Sequence, residues 1–562
     1  MLGIYGLDDS NSRGRVGLCA LGKLSPIAKG LATRALVCAV LGSTAPVLAA
    51  DSSVAASAQQ ALPLPDDVLA AMQAAGVPAS ALALAVIDPA GHMIYQHRAD
   101  QPMLTASLMK LVLTLGALEQ LGPAFRFHTD LFADPLPQPR QGWQVTVRGG
   151  GDPGLQQDAL RLMLRHAAAL GVHRIGAPVI LDTRRFAPQT TLGTGVRAEP
   201  GRVWTTLPSA LMVDLAAVTL SLPAAHQGQL LLDPPIGMLA PVASGGANPQ
   251  RPAASPAANV PAAVRVPEAS PCPPDWLDQL ALVVAPARPL RQHAAHAALG
   301  PVASAANGTL SASTGESSED WRQPGRLQLQ GEWPANCPAG ELRRSPLPAS
   351  AHFGWTLAAL WRSLGHHESV SLQDGAAPGY ATVTVRQASR PLAELVRDIN
   401  KYSNNLMART LLLDLAAEQG ELPATTLAGE HVLKRWLEGH QMHFEELSIE
   451  NGAGLSHQDK LTADHLAQLL KYALTSPVAP EFLASLSIPG QDGTLLKRFT
   501  NLPGAAGMRL KTGSLDDVRG LAGFVPYPGG GYSVVVCMIN GPGLSDVGAI
   551  HEAVLRAASD LR

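Results

Sequence analysis

Three short groupings in this chain could do chemistry together: Ser107-x-x-Lys110, Ser403-x-Asn405 and Lys511-Thr512-Gly513. A serine hydroxyl is a weak nucleophile at neutral pH unless a neighbour takes its proton. A lysine can do so when burial or a nearby cation lowers its pKa. Thr105-Ala106-Ser107-Leu108-Met109-Lys110 precedes an apolar run, which predicts a helix starting near Ser107 with Lys110 one turn along the same face. Ser107 would then sit where free N–H groups favour developing negative charge. Alone the pattern is weak. Such a spacing arises by chance roughly once in a chain this long, and Ser107 could equally cap a core helix with Lys110 in solvent.

The other two groupings are just as common singly. Ser-x-Asn is mostly turn chemistry, and Lys-Thr-Gly mostly a strand end. On an edge strand, however, Lys511 and Thr512 would offer a cation and a hydroxyl to a carboxylate, and Gly513 would let a substrate backbone approach. The three in this order are a far stronger signal than any one.

Several elements must position them. Residues 65–75 read as a helix, and 81–87 and 93–97 as a hairpin around Asp88-Pro89-Ala90-Gly91. Strands at 125–132 and 143–147 lead into Arg148-Gly149-Gly150-Gly151-Asp152-Pro153, where the glycines could hold Asp152 toward a substrate or simply build a turn. A helix at 160–170, a strand at 179–182 and a strand-like run at 211–222 around Asp214 suggest a separate β-rich region, with another strand at 326–330. Helices return at 350–364, 391–399 and 403–415, with strands at 381–385 and 532–539.

Composition narrows the function. With 562 residues, 46% apolar and 15% charged, the chain can fold as two or three domains. A net charge of -3 without basic clusters argues against nucleic acid. Arg13, Arg15, Lys23, Lys29 and Arg34 precede the apolar 35–42 stretch, and Val47-Leu48-Ala49 offers a cleavage site, so residues 1–49 read as an export signal and the mature protein as periplasmic. An uncleaved amphipathic or membrane-anchoring segment is the alternative; for the mature protein, membrane contact is expected to be at most peripheral. Cys272 and Cys337 could pair in an oxidising compartment, whereas Cys537 reads as a buried thiol in a strand. No Cys/His cluster has zinc spacing, so neither metal nor cofactor is expected. Pro/Ala/Ser-rich stretches near 234–274 and 285–319 read as flexible.

At this point the chain resembles the penicillin-binding and serine β-lactamase superfamily. Within it, the chain is similar to the low-molecular-mass class C group, the D-alanyl-D-alanine carboxypeptidase/endopeptidases of the penicillin-binding protein 4 type. Arg148–Pro153, Asp398–Asn405, Asn451-Gly452-Ala453-Gly454-Leu455-Ser456 and Ser487–Leu495 carry the likeness alongside the three motifs. The resemblance implies an α/β (α+β) fold: a transpeptidase-like domain with an antiparallel sheet flanked by helices, formed by 62–135 and 346–562, and an inserted β-rich region at 136–345.

It also implies roles. Ser107 would be the acylated nucleophile, Lys110 its base, Ser403 a proton relay to the leaving group, and Asn405 an orienting amide. Lys511 and Thr512 would hold the terminal carboxylate, and the N–H groups of Ser107 and Ser514 would form the oxyanion hole. Losing one such donor typically costs about 3 kcal/mol of barrier. Asp152 would reach the amino end of the peptide side chain. Relatives usually carry Arg where this chain has His457, which is either a weaker, pH-dependent contact for a diaminopimelate carboxylate or an exposed loop residue. The implied partners are peptidoglycan stem peptides and β-lactams. The rival readings are a β-lactamase or esterase of the same superfamily, and a wall-binding protein without activity.

Overall fold

The computed structural model describes residues 62–224, 231–233, 264–265, 272–286, 325–332 and 336–561, apart from 198, 200, 545 and 546. The export signal and most of the two Pro/Ala/Ser-rich stretches lie outside the described residues.

Five antiparallel strands form the first sheet, in the order Arg509–Leu515, Val518–Pro526, Tyr532–Asn540, Leu82–Ile87, Met93–His97. Its central strands are apolar on both faces, the mark of a sheet covered on two sides. Ala83, Ala85 and Ile87 face one core, while Leu82, Leu84 and Val86 face the other. The second face is covered by the helices Asp66–Ala74 and Gly548–Ser559. On the first lie Met109–Leu121, Leu392–Lys401, Asn405–Glu418, Thr426–Gly439 and Ala463–Ala473. Cys537 is fully buried in its strand, as expected.

The Met109–Leu121 helix explains its own composition. An unbroken buried run from Met109 to Leu118 makes it a core helix rather than an amphipathic one. Gly122, at φ +85°, ends it. Each fully buried leucine there contributes about 2 kcal/mol, so the helix is a rigid base for whatever its first turn carries.

A second five-stranded sheet has the order Leu372–Asp374, Val179–Asp182, Trp143–Arg148, His128–Pro135, Val383–Ala388, with parallel and antiparallel pairs. The helices Gln157–Ala169 and Ala349–Ser363 share its core. Here the expected domain limits need correction. His128–Pro135 pairs along its whole length with Trp143–Arg148, so the insertion starts before 136. It also runs past 345, because 349–363, 372–374 and 383–388 belong to it. Alternating apolar residues reveal a strand but not which sheet it joins. Within the insertion, Cys272 and Cys337 form a disulfide.

A further expectation fails at 211–222. Only Val218–Leu222 is a strand. Asp214, Leu215 and Ala216 instead take φ of +49°, +59° and +52°, a left-handed turn that residue types other than glycine seldom adopt.

Candidate active site

Ser107 lies in a single tight turn, Ala106–Leu108, that runs straight into the Met109–Leu121 helix. The turn is strained, with Ala106 at φ +44°. Two neighbours hold it. Thr105 donates its N–H to the Asp459 carbonyl at 3.2 Å, and Gly454, at φ +77°, packs so close that a Cβ there would lie 1.8 Å from the Ala106 oxygen.

One turn on, Lys110 is fully buried. Its Nζ lies 2.8 Å from Ser107 Oγ, 2.8 Å from Asn405 Oδ1 and 2.5 Å from the Ala453 carbonyl oxygen. Burial pushes the amine well below its ordinary range, and the nearby Lys511 ammonium pushes the same way, against the pull of Asp459. A neutral Lys110 has a lone pair that can take the Ser107 proton.

The second grouping arrives between two helices. Leu392–Lys401 ends just before Ser403, which sits at φ +54°, and Asn405–Glu418 begins just after it. Asn404 caps that helix, its side chain accepting the Met407 N–H at 3.0 Å. The cap sets Asn405 in the first turn, where its amide oxygen meets Lys110.

The third is carried by an edge strand, Arg509–Leu515. Lys511 is fully buried, and its Nζ donates to Ser403 Oγ at 2.8 Å and to the Thr512 carbonyl at 2.7 Å. Burial lowers its pKa to about 7. Leu510 exchanges two backbone hydrogen bonds of 2.9 Å with Ser487 on the strand's outer side. By the two-residue period, the N–H groups of Thr512 and Ser514 point the same way, off the sheet edge. Gly513 is needed for contact: a Cβ would stand 3.0 Å from the Thr105 oxygen and 3.2 Å from the Ser107 nitrogen. Thus the edge strand and the turn that carries Ser107 touch directly.

Ser107, Lys110, Ser403, Asn405, Lys511, Thr512 and Gly513 are therefore linked through hydrogen bonds and packing, and Ser514 is exposed on the same strand. His457 is exposed at the rim, on the loop whose Gly454 packs on Ala106, and 3.7 Å from Asp517 in the turn after the edge strand.

Asp152 is different. It is 5% exposed, and its Oδ1 accepts the N–H of Gly154 at 2.9 Å. Burial raises its pKa to about 6. The preceding Gly151 packs on Asp414, a Cβ there falling 1.9 Å from Asp414 Oδ1. Asp414 is nine residues beyond Asn405, about 13 Å along the helix axis. Asp152 therefore closes its own loop through Gly154, with the Arg390 charge nearby.

Three further contributors were not named individually as site residues, although Ala453 and Thr494 lie in segments that carry the likeness. Ala453 supplies a carbonyl to Lys110, held by the Asn451 side chain accepting the Ala453 N–H at 2.9 Å. The density of glycine around it was the available signal. Asp459 is buried near Lys110, its pKa raised to about 7 by burial, and nothing in its local sequence marks it. Thr494 meets Thr512, with 2.9 Å between their hydroxyl oxygens.

Among proteins of known identity, the chain is 25% identical over 506 residues to a D-alanyl-D-alanine carboxypeptidase of Actinomadura sp. (strain R39), covering 87% of this chain and 83% of that one. It is 27% identical over 172 residues to the D-alanyl-D-alanine carboxypeptidase DacB of Haemophilus influenzae, 30% of this chain and 36% of that one. The crystal structure of penicillin binding protein 4 (dacB) from Haemophilus influenzae shares the fold, with a TM-score of 0.63 at 19% identity over 87% of this chain and 98% of that one. Residues 67–263 and 292–561 match the D-Ala-D-Ala carboxypeptidase 3 (S13) family, and with most of its length accounted for in this way the chain belongs to that family.

Proposed function

We propose that this chain is a periplasmic serine DD-peptidase that cleaves D-Ala-D-Ala ends and D-Ala-diaminopimelate crosslinks of peptidoglycan through an acyl-enzyme. The observation that carries the reading is the buried Lys110 amine 2.8 Å from Ser107 Oγ, beside the Lys511–Ser403 pair at the same separation. Ser107 Oγ attacks the D-Ala carbonyl carbon and passes its proton to Lys110. The N–H groups of Ser107 and Ser514 receive the oxyanion. As the C–N bond breaks, Ser403 delivers a proton to the leaving amine and is reprotonated from the lysines. Water then cleaves the ester and Ser107 is restored. Lys511 and Thr512 hold the terminal carboxylate, and its charge favours the protonated form of Lys511.

The same geometry would trap penicillins as esters of Ser107. One solved relative, penicillin binding protein 4 of Haemophilus influenzae, is complexed with a β-lactam. At the rim, His457 would contact a stem-peptide carboxylate, without the two-pronged hydrogen bonding that an arginine offers there. Export rests on the basic and apolar leader of residues 1–49.

The test is to incubate the mature protein with muropeptides and identify the products by mass spectrometry, with Ser107→Ala as control. D-Ala release and conversion of crosslinked dimers to monomers, both absent in Ser107→Ala, are expected. Sustained turnover of nitrocefin with intact pentapeptide would instead indicate a β-lactamase.

A further inference from the structure

The segment 487–495 belongs to none of the three motifs, yet it is fastened to two of them. Ser487 bridges Leu510, the neighbour of Lys511, by two backbone hydrogen bonds of 2.9 Å. Its hydroxyl donates to the Lys401 carbonyl at 3.2 Å. Lys401, two residues before Ser403, is 3% exposed. Its Nζ donates to Asp492 Oδ2 at 2.5 Å and to the Leu486 carbonyl at 2.9 Å. Asp492 Oδ1 also accepts the Ile488 N–H at 2.9 Å, closing the loop on itself. Gly493, at φ +58°, is packed so tightly that a Cβ would lie 2.4 Å from the Lys401 oxygen.

A buried ammonium is retained only when it is well paired, so this fastening is rigid. What it holds is Thr494. That residue is exposed, and its Oγ1 lies 2.9 Å from Thr512 Oγ1.

We propose that Thr494 is a positioning residue for the substrate's terminal carboxylate, acting through the Thr512 hydroxyl and held in place by the Lys401–Asp492 pair. This rests on the reading that Lys511 and Thr512 receive that carboxylate. A threonine hydroxyl has one proton to donate and lone pairs to accept. If Thr512 gives its proton to the carboxylate, its oxygen is free to accept from Thr494. The chain then runs Thr494 to Thr512 to carboxylate, and each bond polarises the next. Without Thr494 the Thr512 hydroxyl rotates freely and must be ordered by the substrate.

The experiment compares wild type, Thr494→Val and Thr494→Ser on a pentapeptide ending in D-Ala-D-Ala and on the same peptide with an amidated C-terminus. Thr494→Val should raise KM for the acid about five- to tenfold, the loss of one hydrogen bond between neutral hydroxyls, with kcat nearly unchanged. The amide should change less than about twofold, and Thr494→Ser should restore the wild-type KM. Asp492→Asn should show the same selectivity. A wild-type KM for Thr494→Val on the acid, or equal losses on acid and amide, overturns the proposal. If wild type releases no D-Ala, or Ser107→Ala releases as much, the premise about the site falls and takes the proposal with it.

Discussion

Lys110 Nζ and Ser107 Oγ stand 2.8 Å apart with the amine fully buried, so proximity and a lowered pKa come from the same packing. Removing the amine should therefore stop acylation without unfolding the helix. Lys110→Met keeps an unbranched side chain of similar length along the buried stem, and should slow labelling by a fluorescent penicillin at least about a thousandfold. Stopped-flow or gel-based labelling against time measures it.

The two lysines ask for opposite protonation states. In the proposed mechanism Lys110 works as the free amine, so acylation would rise with pH through its depressed pKa. Lys511 would bind the carboxylate as the ammonium, and burial brings its pKa to about 7. kcat/KM for a peptide acid should thus follow a bell, with the alkaline limb falling from near that value. Lys511→Arg should move this limb upward, since a guanidinium stays charged across the range. A pH profile of D-Ala release checks both limbs.

Gly454 is a sensitive point outside the motifs. At φ +77°, with a Cβ destined to overlap the Ala106 carbonyl, Gly454→Ala must displace the turn that carries Ser107. A shift of about 1 Å there is expected to cost about a hundredfold in kcat/KM. Acylation rate and thermal melting should be measured together, because a loss of rate larger than the loss of stability identifies the misplaced serine.

Asp152→Asn keeps the acceptor that Gly154 uses. Since the carboxyl faces its own loop, KM for muropeptides should change less than about twofold. Steady-state kinetics on a stem peptide with and without its free amino group makes the comparison.

His352 lies fully buried in the Ala349–Ser363 helix, and burial lowers its pKa to about 4. The unfolded chain binds this proton near pH 6.5, the folded one only near 4, so stability is lost as pH falls between the two. The loss approaches about 3 kcal/mol at the acid end. His352→Leu should remove that part of the slope, seen as a difference between the two proteins in denaturant midpoints at pH 6.5 and pH 4.5.

Local chemistry was legible in the sequence because it is written locally. The 3.6-residue period placed Ser107 and Lys110 together before any tertiary contact was considered, and the apolar runs at 81–87 and 532–539 marked two strands. The three motifs named the reactive groups. What they could not say is where distant segments go. The strand at 128–135 looks like its neighbours in the first sheet yet pairs in the second. The burial of Asp152 and its hydrogen bond from Gly154 are likewise not written in its local sequence.

Only the tertiary structure brings a carbonyl from Ala453, a hydroxyl from Thr494 and the strained φ of Ala106 to one place. The sequence by itself singled out which side chains could react, since hydroxyl, amine and cation are properties of residue types and short spacings. Burial, approach and pKa were decided by the fold, because desolvation of Lys110 and contact between Gly513 and Ser107 depend on residues hundreds of positions apart meeting in one core.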